Sequence, residues 1–310
     1  MGEVSRQSGL PDLGRNSTMN FVPEVYSGKL VEKFYKTTVF GEIASTDYEG
    51  EIAGFGSNVK IRTVPDITVA DYVIGNGLNA VYPSSTAVTL SIDKAKSFAV
   101  ALNLVDQRQS DIDMADVFAN EASIKLRIAA DVDMLAAIPA SVSVDNQGRS
   151  AGADSDSIDL GDSTTPLSLT KTNIVDTLVD WGTVLDEQNV PDEGRWAVLP
   201  PWAIALIKKS DLRIASLAGD GVSILRNGKV GEIDRFTIYQ SRNLLAQTTP
   251  GLANYAMFGH SAGLTFASQI VECEMVANPN DFGWIVRGLM VYGYGVIEGK
   301  YVGTAVIKRG

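Results

Sequence analysis

Hydrophobic positions along this chain change period several times, and each change predicts an element. Over 113–138 (DMADVFANEASIKLRIAADVDMLAAI), Met114, Val117, Phe118, Ala122, Ile128, Val132 and Leu135 recur near helical spacing. Asp113 can cap this helix, and Pro139 cannot continue it. At about 1.5 Å per residue the helix is about 38 Å long. A second helical pattern, 171–187, places Ile174, Leu178, Trp181 and Leu185 on one face. Val25, Leu30, Val31 and Phe34 fit a short amphipathic helix that begins after Pro23. Elsewhere the period is two. SNVKIRTV (57–64) and STAVTLSID (85–93) read as strands, and in the second Val88, Leu90 and Ile92 alternate with Thr89, Ser91 and Asp93. GRWAVLPPWAIALIKKSD (194–211) reads as a strand, a Pro-Pro break and a short helix. FTIYQSRNLL (236–245) is another strand, and the block from 255 onward is mostly strand. The polar, Gly/Ser/Asp-rich stretch 140–168 reads as loop, and residues 1–20 as a flexible arm. Segregated helices and strands without a repeating βαβ unit predict a mixed α+β fold.

Between the first two strands lies PDITVADYVIGNGLNAVYPS, with Gly75 and Gly77 near its middle. Residues 50–97 therefore read as a long two-stranded arm. Such a ribbon has too little core to be stable alone, so it needs its own domain or a neighbouring molecule to lie on.

Composition narrows the function classes. The chain has 310 residues, 45% apolar and 20% charged, enough for a sizeable core in one or two domains. Its net charge of −11 disfavours sequence-independent binding to a phosphate backbone. A single cysteine forms no internal disulfide. The first twenty residues have no apolar h-region, and Arg6 breaks the myristoylation pattern. No apolar run approaches membrane-spanning length, so no membrane contact is expected. Without secretion the Asn16-Ser17-Thr18 sequon carries no meaning.

The one motif with a catalytic look is Gly259-His260-Ser261-Ala262-Gly263, which matches the nucleophile elbow of serine hydrolases. A serine hydroxyl needs a base to take its proton. The only histidine, His260, sits inside the elbow beside Ser261 and cannot turn back to serve it. The residues that follow (LTFASQIVECEMV) alternate as a strand does, whereas an elbow leads into a helix. A glycine-rich turn before a strand fits better. Cys273 lies thirteen residues beyond His260 along the same predicted strand, too far for a cysteine–histidine pair, and reads as a buried structural cysteine. One histidine and one cysteine exclude the usual zinc sets. The acidic loop ADSDSIDLGD fails the calcium-loop pattern, because Asp159 stands where glycine is needed. GFGSNV (54–59) and GYGVIEG (293–299) complete no nucleotide fingerprint; their glycines read as turns, bulges or close backbone approach. No catalytic residue, cofactor or metal is expected. Phe282, Trp284, Tyr292, Tyr294 and Tyr301 read as core or intersubunit packing. Arg287, central in WIVRGLMVYG, is the odd residue, since a mid-strand arginine pairs with a carboxylate or crosses an interface.

Taken in order, these segments resemble a tailed-bacteriophage major capsid protein of the Hong Kong 97-type fold. NFVPEVYSGKLVEKF resembles that family's N-terminal arm and helix. DYEGEIAGFGSNVKIRTVPDITVADY looks like the start of its extended loop. STAVTLSIDKAKSFAVALNLVDQRQSDIDMADVFANEASIKLRIAADVD resembles the return strand and the long spine helix. GRWAVLPPWAIALI and FTIYQSRNL resemble its axial domain, and AMFGHSAGLTFASQI and FGWIVRGLMVYGYGVI its closing strands. The resemblance covers about residues 20–310.

It implies an α+β fold with an N-terminal arm and helix (1–49), an extended β-hairpin loop (50–97), a peripheral domain with the spine helix (98–168 and 255–300) and an axial domain (169–254 and 301–310). It implies a non-enzymatic subunit that forms hexamers and pentamers tiling an icosahedral shell around double-stranded DNA, enclosed without specific binding. Virion subunits of this kind are assembled in the host cytoplasm, with a portal and with decoration proteins in some cases. Some relatives carry a long scaffolding segment at the N-terminus. Here about twenty polar residues precede the first helix, so such a segment has been removed or a separate scaffolding protein guides assembly; the second is expected. Carried over from the resemblance, the expected intersubunit contacts are Phe21, Val22, Pro23, Asp71, Tyr72, Asn76, Gly77 and Arg287. Two other readings stay open: a cellular protein-cage subunit of the encapsulin type, and a serine hydrolase using Ser261.

Overall fold

The computed structural model describes residues 38–46, 58–62, 67, 69, 71, 82, 87–103, 114–210, 231–247, 252–279 and 281–310. The expected helix after Pro23, the glycine pair Gly75 and Gly77, and most of the extended loop lie outside them.

The chain begins, among these residues, with a single helical turn α1 (Phe40–Ile43), then a two-stranded ribbon of β1 (Asn58–Arg62) and β2 (Ala87–Ser91), then β3 (Lys94–Asn103) and the long helix α2 (Met114–Ala137). Pro139 converts the end of α2 into a 3₁₀ turn, Ile138–Ser141. After the short β4 (Leu167–Leu169) come α3 (Ile174–Glu187), β5 (Arg195–Leu199) and α4 (Pro201–Lys209). Pro200 is extended and Pro201 opens α4, where a missing N–H costs nothing. The hairpin β6 (Glu232–Ile233) and β7 (Phe236–Gln240), then β8 (Ala246–Gln247) and β9 (Ala253–His260), follow. Two 14-residue strands, β10 (Leu264–Ala277) and β11 (Gly283–Val296), form a long hairpin before the closing strand β12 (Val302–Arg309).

A seven-stranded sheet, ordered β4-β12-β9-β5-β7-β6 with β8 beside β9, divides two cores. All five residues of β5 are buried, which explains its unbroken apolar run. Ala197 and Leu199 point to one side, into a core with Trp181, Leu185, Ile204, Phe236 and Phe258. Trp196 and Val198 point to the other, against Met134, Leu135, Phe266 and Tyr292. The predicted face of α3 is buried in the first of these cores, as read: Ile174, Leu178, Trp181 and Leu185. Trp181 stacks on Phe258 with centroids 4.8 Å apart.

A three-stranded sheet, β10-β11-β3, carries α2 on one face. The near ends of β10 and β11 run into the second core, and the far ends run out to solvent.

Three features differ from the sequence reading. The stretch 140–168 is ordered rather than a plain loop: Ala151 bridges Ile158, Ala151, Leu160 and Asn146 are buried, and β4 adds a parallel strand to β12. Sparse side chains hid this, because the segment is held by backbone bonds and caps, such as Glu187 accepting from the Asp154 and Ser155 N–H groups. The expected boundary 97/98 falls inside β3, and 254/255 falls inside β9, which belongs to the seven-stranded sheet. Strand FTIYQSRNLL stops at Gln240, and the chain then bends through Ser241 to Asn243.

Candidate functional site

The ribbon of β1 and β2 has one apolar face and one polar face. Val59, Ile61 and Leu90 are buried against Ala267, while Asn58, Lys60, Arg62, Thr89 and Ser91 face solvent. That small core sits at the ribbon's base. Gly293 makes the junction possible: a Cβ there would lie 2.5 Å from the Ser91 carbonyl oxygen, so only glycine lets β2 cross β11 this closely. Of the glycines in GYGVIEG, Gly293 thus serves close backbone approach, while a Cβ at Gly295 would meet only the side chains of Leu90 and Thr265 at ordinary contact distance.

Among the described residues the three-stranded sheet has a helix on one face only. On the other, Ala95, Ser97, Ala99 and Ala101 of β3 are exposed, beside half-buried Ile285 and Leu289 of β11. At the hairpin's far end Phe282 is 83% exposed and Trp284 40% exposed. Tyr292, by contrast, is fully buried, and Tyr294 and Tyr301 are half-buried. The aromatic group therefore divides into core members and members at the exposed tip.

Arg287 lies on the open face. Its Nε donates to Glu274 Oε1 at 2.5 Å and its Nη2 touches the same oxygen, across the β10–β11 pair. The carboxylate partner is in the same chain, and the arginine side chain is 57% exposed. Asp71 is exposed; Phe21, Val22, Pro23, Tyr72, Asn76 and Gly77 lie outside the described residues.

GHSAG is a turn between strands. β9 ends at His260, residues Ser261–Gly263 make one 3₁₀ turn, and β10 starts at Leu264. His260 Nδ1 accepts the Ala262 N–H at 3.1 Å, which ties the imidazole to the turn itself. An elbow geometry with a helix behind the serine is not formed. Cys273 is the tenth residue of β10, paired with Gly288, so it runs away from His260 along the strand. Among the described residues, no cluster suited to a metal ion occurs, and no helix is long and apolar enough to cross a membrane.

The polar groups that do converge are structural clasps. Asp131, on α2, is completely buried, and accepts the N–H groups of Val39 (2.9 Å) and Phe40 (3.0 Å) and the side-chain amide of Asn243 (2.6 Å). Burial pushes its carboxyl above the ordinary range, and those three bonds offset part of that rise. Two residues on, Asp133 faces the sheet instead, accepting from Tyr292 (2.5 Å) and pairing with Lys96 (2.9 Å). Burial raises the Asp133 carboxyl, but Tyr292 and Lys96 outweigh it and leave it below the ordinary range. Tyr292 is held above its usual range by burial first and by Asp133 second. A third clasp centres on Arg195, buried at the start of β5. Its Nη2 meets Asp186 at 2.7 Å and the Val190 carbonyl at 2.6 Å, and its Nε meets the Pro191 carbonyl at 2.8 Å. Arg235 bridges Asp186 and Asp192 from outside. Sequence reasoning missed Asp131, although the signal was present: three after Ile128 and four before Leu135, it stands on the apolar face of its helix.

Among the described residues the polar groups that converge are spent on holding two sheets and a long helix together. The family model described as phage capsid protein matches residues 85–307. The chain belongs to that family and is a capsid subunit, a component of the virion. The fold is similar to that of the Mycobacterium phage Che8 chain, at 24% identity and a TM-score of 0.74 over 92% of this chain and 97% of that one. It is also similar to the capsid structure of the cyanophage P-SCSP1u (15%, TM-score 0.68, 94% of each chain). A third similar structure is the capsid of an empty GTA particle (11%, TM-score 0.60, 92% of this chain and 95% of that one). These likenesses place the chain in the Hong Kong 97-type fold. No curated protein matches the sequence.

Proposed function

We propose that this subunit assembles into hexamers and pentamers that tile an icosahedral shell around packaged double-stranded DNA. The family match over 85–307 carries the reading, since it spans both sheets and the spine helix. Three features support it. Among the described residues the ribbon contributes Val59, Ile61 and Leu90 to a small core against Ala267, far short of independent stability, which suits a ribbon that rests on another copy. The open face of the three-stranded sheet, lined by small side chains, offers such a resting place. The net charge of −11 suits a lining along which DNA slides rather than binds.

In this reading residues 1–49 are the N-terminal arm and helix, docked on the second core by Val39 and Ile43, and the ribbon is the extended loop that reaches a neighbour. The three-stranded sheet with α2 is the peripheral domain, and the seven-stranded sheet with α3 and α4 is the axial domain. Phe21, Val22, Pro23, Asp71, Tyr72, Asn76, Gly77 and Arg287 are the proposed neighbour contacts. A separate scaffolding protein and a portal complete assembly in the host cytoplasm, and decoration proteins bind the finished shell in some cases. The subunit itself carries no enzymatic step.

Electron microscopy of the purified protein, alone and with its gene neighbours, tests the reading. Shells, sheets or hexameric rings are expected; a monodisperse monomer at high concentration would overturn it. A parallel esterase assay is expected to show no turnover that Ser261→Ala removes.

A further inference from the structure

Asp131 is an expensive residue for a helix interior. A buried carboxylate loses its hydration, and here no cation offsets that loss: its three partners are two backbone N–H groups and a side-chain amide, all neutral. An apolar side chain would pack at this position at lower cost. What an apolar side chain does not supply is an acceptor for two consecutive backbone N–H groups, those of Val39 and Phe40. These open the single turn α1, which has no cap of its own because Val39 occupies the capping position. The same carboxylate reaches Asn243, just past β7, so one atom group ties the spine helix, the segment after β7 and the first described stretch of chain.

That stretch is fixed at its other end too. The Ser45 N–H donates to the Leu264 carbonyl at 2.9 Å and its carbonyl accepts from Phe266 at 3.0 Å, while Val39 and Ile43 are buried in the second core. With both ends held, the direction of the backbone at Thr38 is set, and 37 residues precede that point.

We infer that Asp131 is a positioning residue for shell assembly: it orients the Val39–Phe40 backbone, and so fixes the direction of the chain at Thr38, where the N-terminal segment joins the subunit. The role is geometric, and a neutral amide fills it. In Asp131→Asn the amide oxygen still accepts both N–H groups, and a rotated Asn243 presents its own oxygen to the new NH₂. The clasp is a property of the free subunit; only its consequence for assembly rests on the capsid reading.

The test pairs hydrogen exchange of the free subunit with electron microscopy of its assembly products. In wild type the hydrogen-bonded amides of Val39, Phe40, Glu42, Ile43, Ala44 and Ser45 are expected to be protected. Asp131→Ala is expected to raise their exchange about tenfold or more, while amides of β5 and β12 stay protected, and Asp131→Asn to stay within about threefold of wild type. Asn243→Ala, which keeps the two backbone bonds, is expected to raise exchange about two- to fivefold and carries the test if Asp131→Ala is insoluble. Assembly should follow the same order, with open or irregular products from Asp131→Ala and closed shells from Asp131→Asn. Unchanged 38–46 exchange in Asp131→Ala, or in Asn243→Ala if that variant stands in, overturns the clasp. Fast exchange in Asp131→Asn overturns its geometric basis. Fast exchange in the alanine variant with normal closed shells overturns the assembly role while leaving the clasp. If wild type forms no assembly of any kind, the capsid reading fails and the exchange result stands by itself.

Discussion

The two sheets of this subunit are finished to different degrees. The seven-stranded sheet has a packed core on each side, its central strand wholly buried, and buried Arg195 matched by carboxylates and carbonyls from the same chain. Among the described residues the three-stranded sheet is covered on one face only, and the ribbon beside it buries Val59, Ile61 and Leu90. Physical chemistry asks nothing more of the first. The second leaves small and apolar side chains open to water, with apolar residues at the tip of its hairpin. The contrast separates the part of the subunit that folds for itself from the part proposed above to rest against another copy.

The largest effect should come from damaging the finished side. Arg195→Ala removes a side chain that occupies the core next to Gly182 and satisfies the carbonyls of Val190 and Pro191. The loss is expected to be about 3 kcal/mol or more, from unsatisfied acceptors and the cavity together. Denaturant unfolding of the free subunit measures it. A loss under about 1 kcal/mol would mean that this core tolerates disorder of the kind assigned to the other sheet.

A smaller loss is expected at the junction of sheet and ribbon. In Gly293→Ala the new methyl meets backbone, the Ser91 carbonyl oxygen, and the ribbon's base must move. Overpacking of this kind costs about 1–3 kcal/mol. Hydrogen exchange should show it confined to 58–62 and 87–93, with β5 and β9 unaffected. Spread of the effect into the seven-stranded sheet would remove the proposed independence of the two regions.

Acid and base should act on the two regions in opposite senses. Burial raises the Asp186 carboxyl, but Arg235 and Arg195 outweigh it and hold it below the ordinary range. Its folded value lies under the unfolded one, so its stabilisation is present above about pH 4 and fades as pH falls through the folded value. Asp131 is the reverse, raised by burial. Its contribution is complete below about pH 4 and is lost as pH climbs through the raised value. Unfolding curves taken across pH should therefore show Asp186→Asn losing most against wild type at neutral pH, and Asp131→Asn gaining on wild type as pH rises. Parallel curves for all three proteins would contradict both assignments.

Much of the fold was legible because period follows burial. The α3 stripe and the alternation of β2 came through because each has one face against a core, and β5 with its Pro-Pro break because an unbroken apolar run marks a strand buried on both faces. The same rule hid β4, three residues long and held by backbone pairing to β12, and the order in 140–168, where caps and turns do the holding. Clasps were hidden for another reason. Asp131 and Arg195 are polar residues in apolar company, and spacing shows that a residue is out of place without showing what meets it. Arg287 was noticed on those grounds, yet its partner, Glu274 on the adjoining strand, depends on a hairpin register that a bulge between Ile270 and Glu272 shifts by one residue.

The smallest effect on the free subunit, and the sharpest on the comparison, is expected at Ala99. It is exposed on the open face of the three-stranded sheet, directly opposite Arg287. Glutamate at that position adds length and charge to a strand surface already in water, with a guanidinium within reach across the pair. Free-subunit stability should stay within about 0.5 kcal/mol of wild type, as for other surface changes away from caps and cores. Assembly should not be indifferent. If a neighbour's chain lies along Ala95 to Ala101, a side chain standing out of that floor blocks close approach and brings a charge to be desolvated, and closed shells should become scarce under conditions where wild type forms them. A subunit as stable as wild type that no longer assembles would locate the unfinished face by function. Normal shells from Ala99→Glu would show that this face stays wet in the capsid, and would move the neighbour's resting place elsewhere, with the exposed tip at Phe282 and Trp284 next in line.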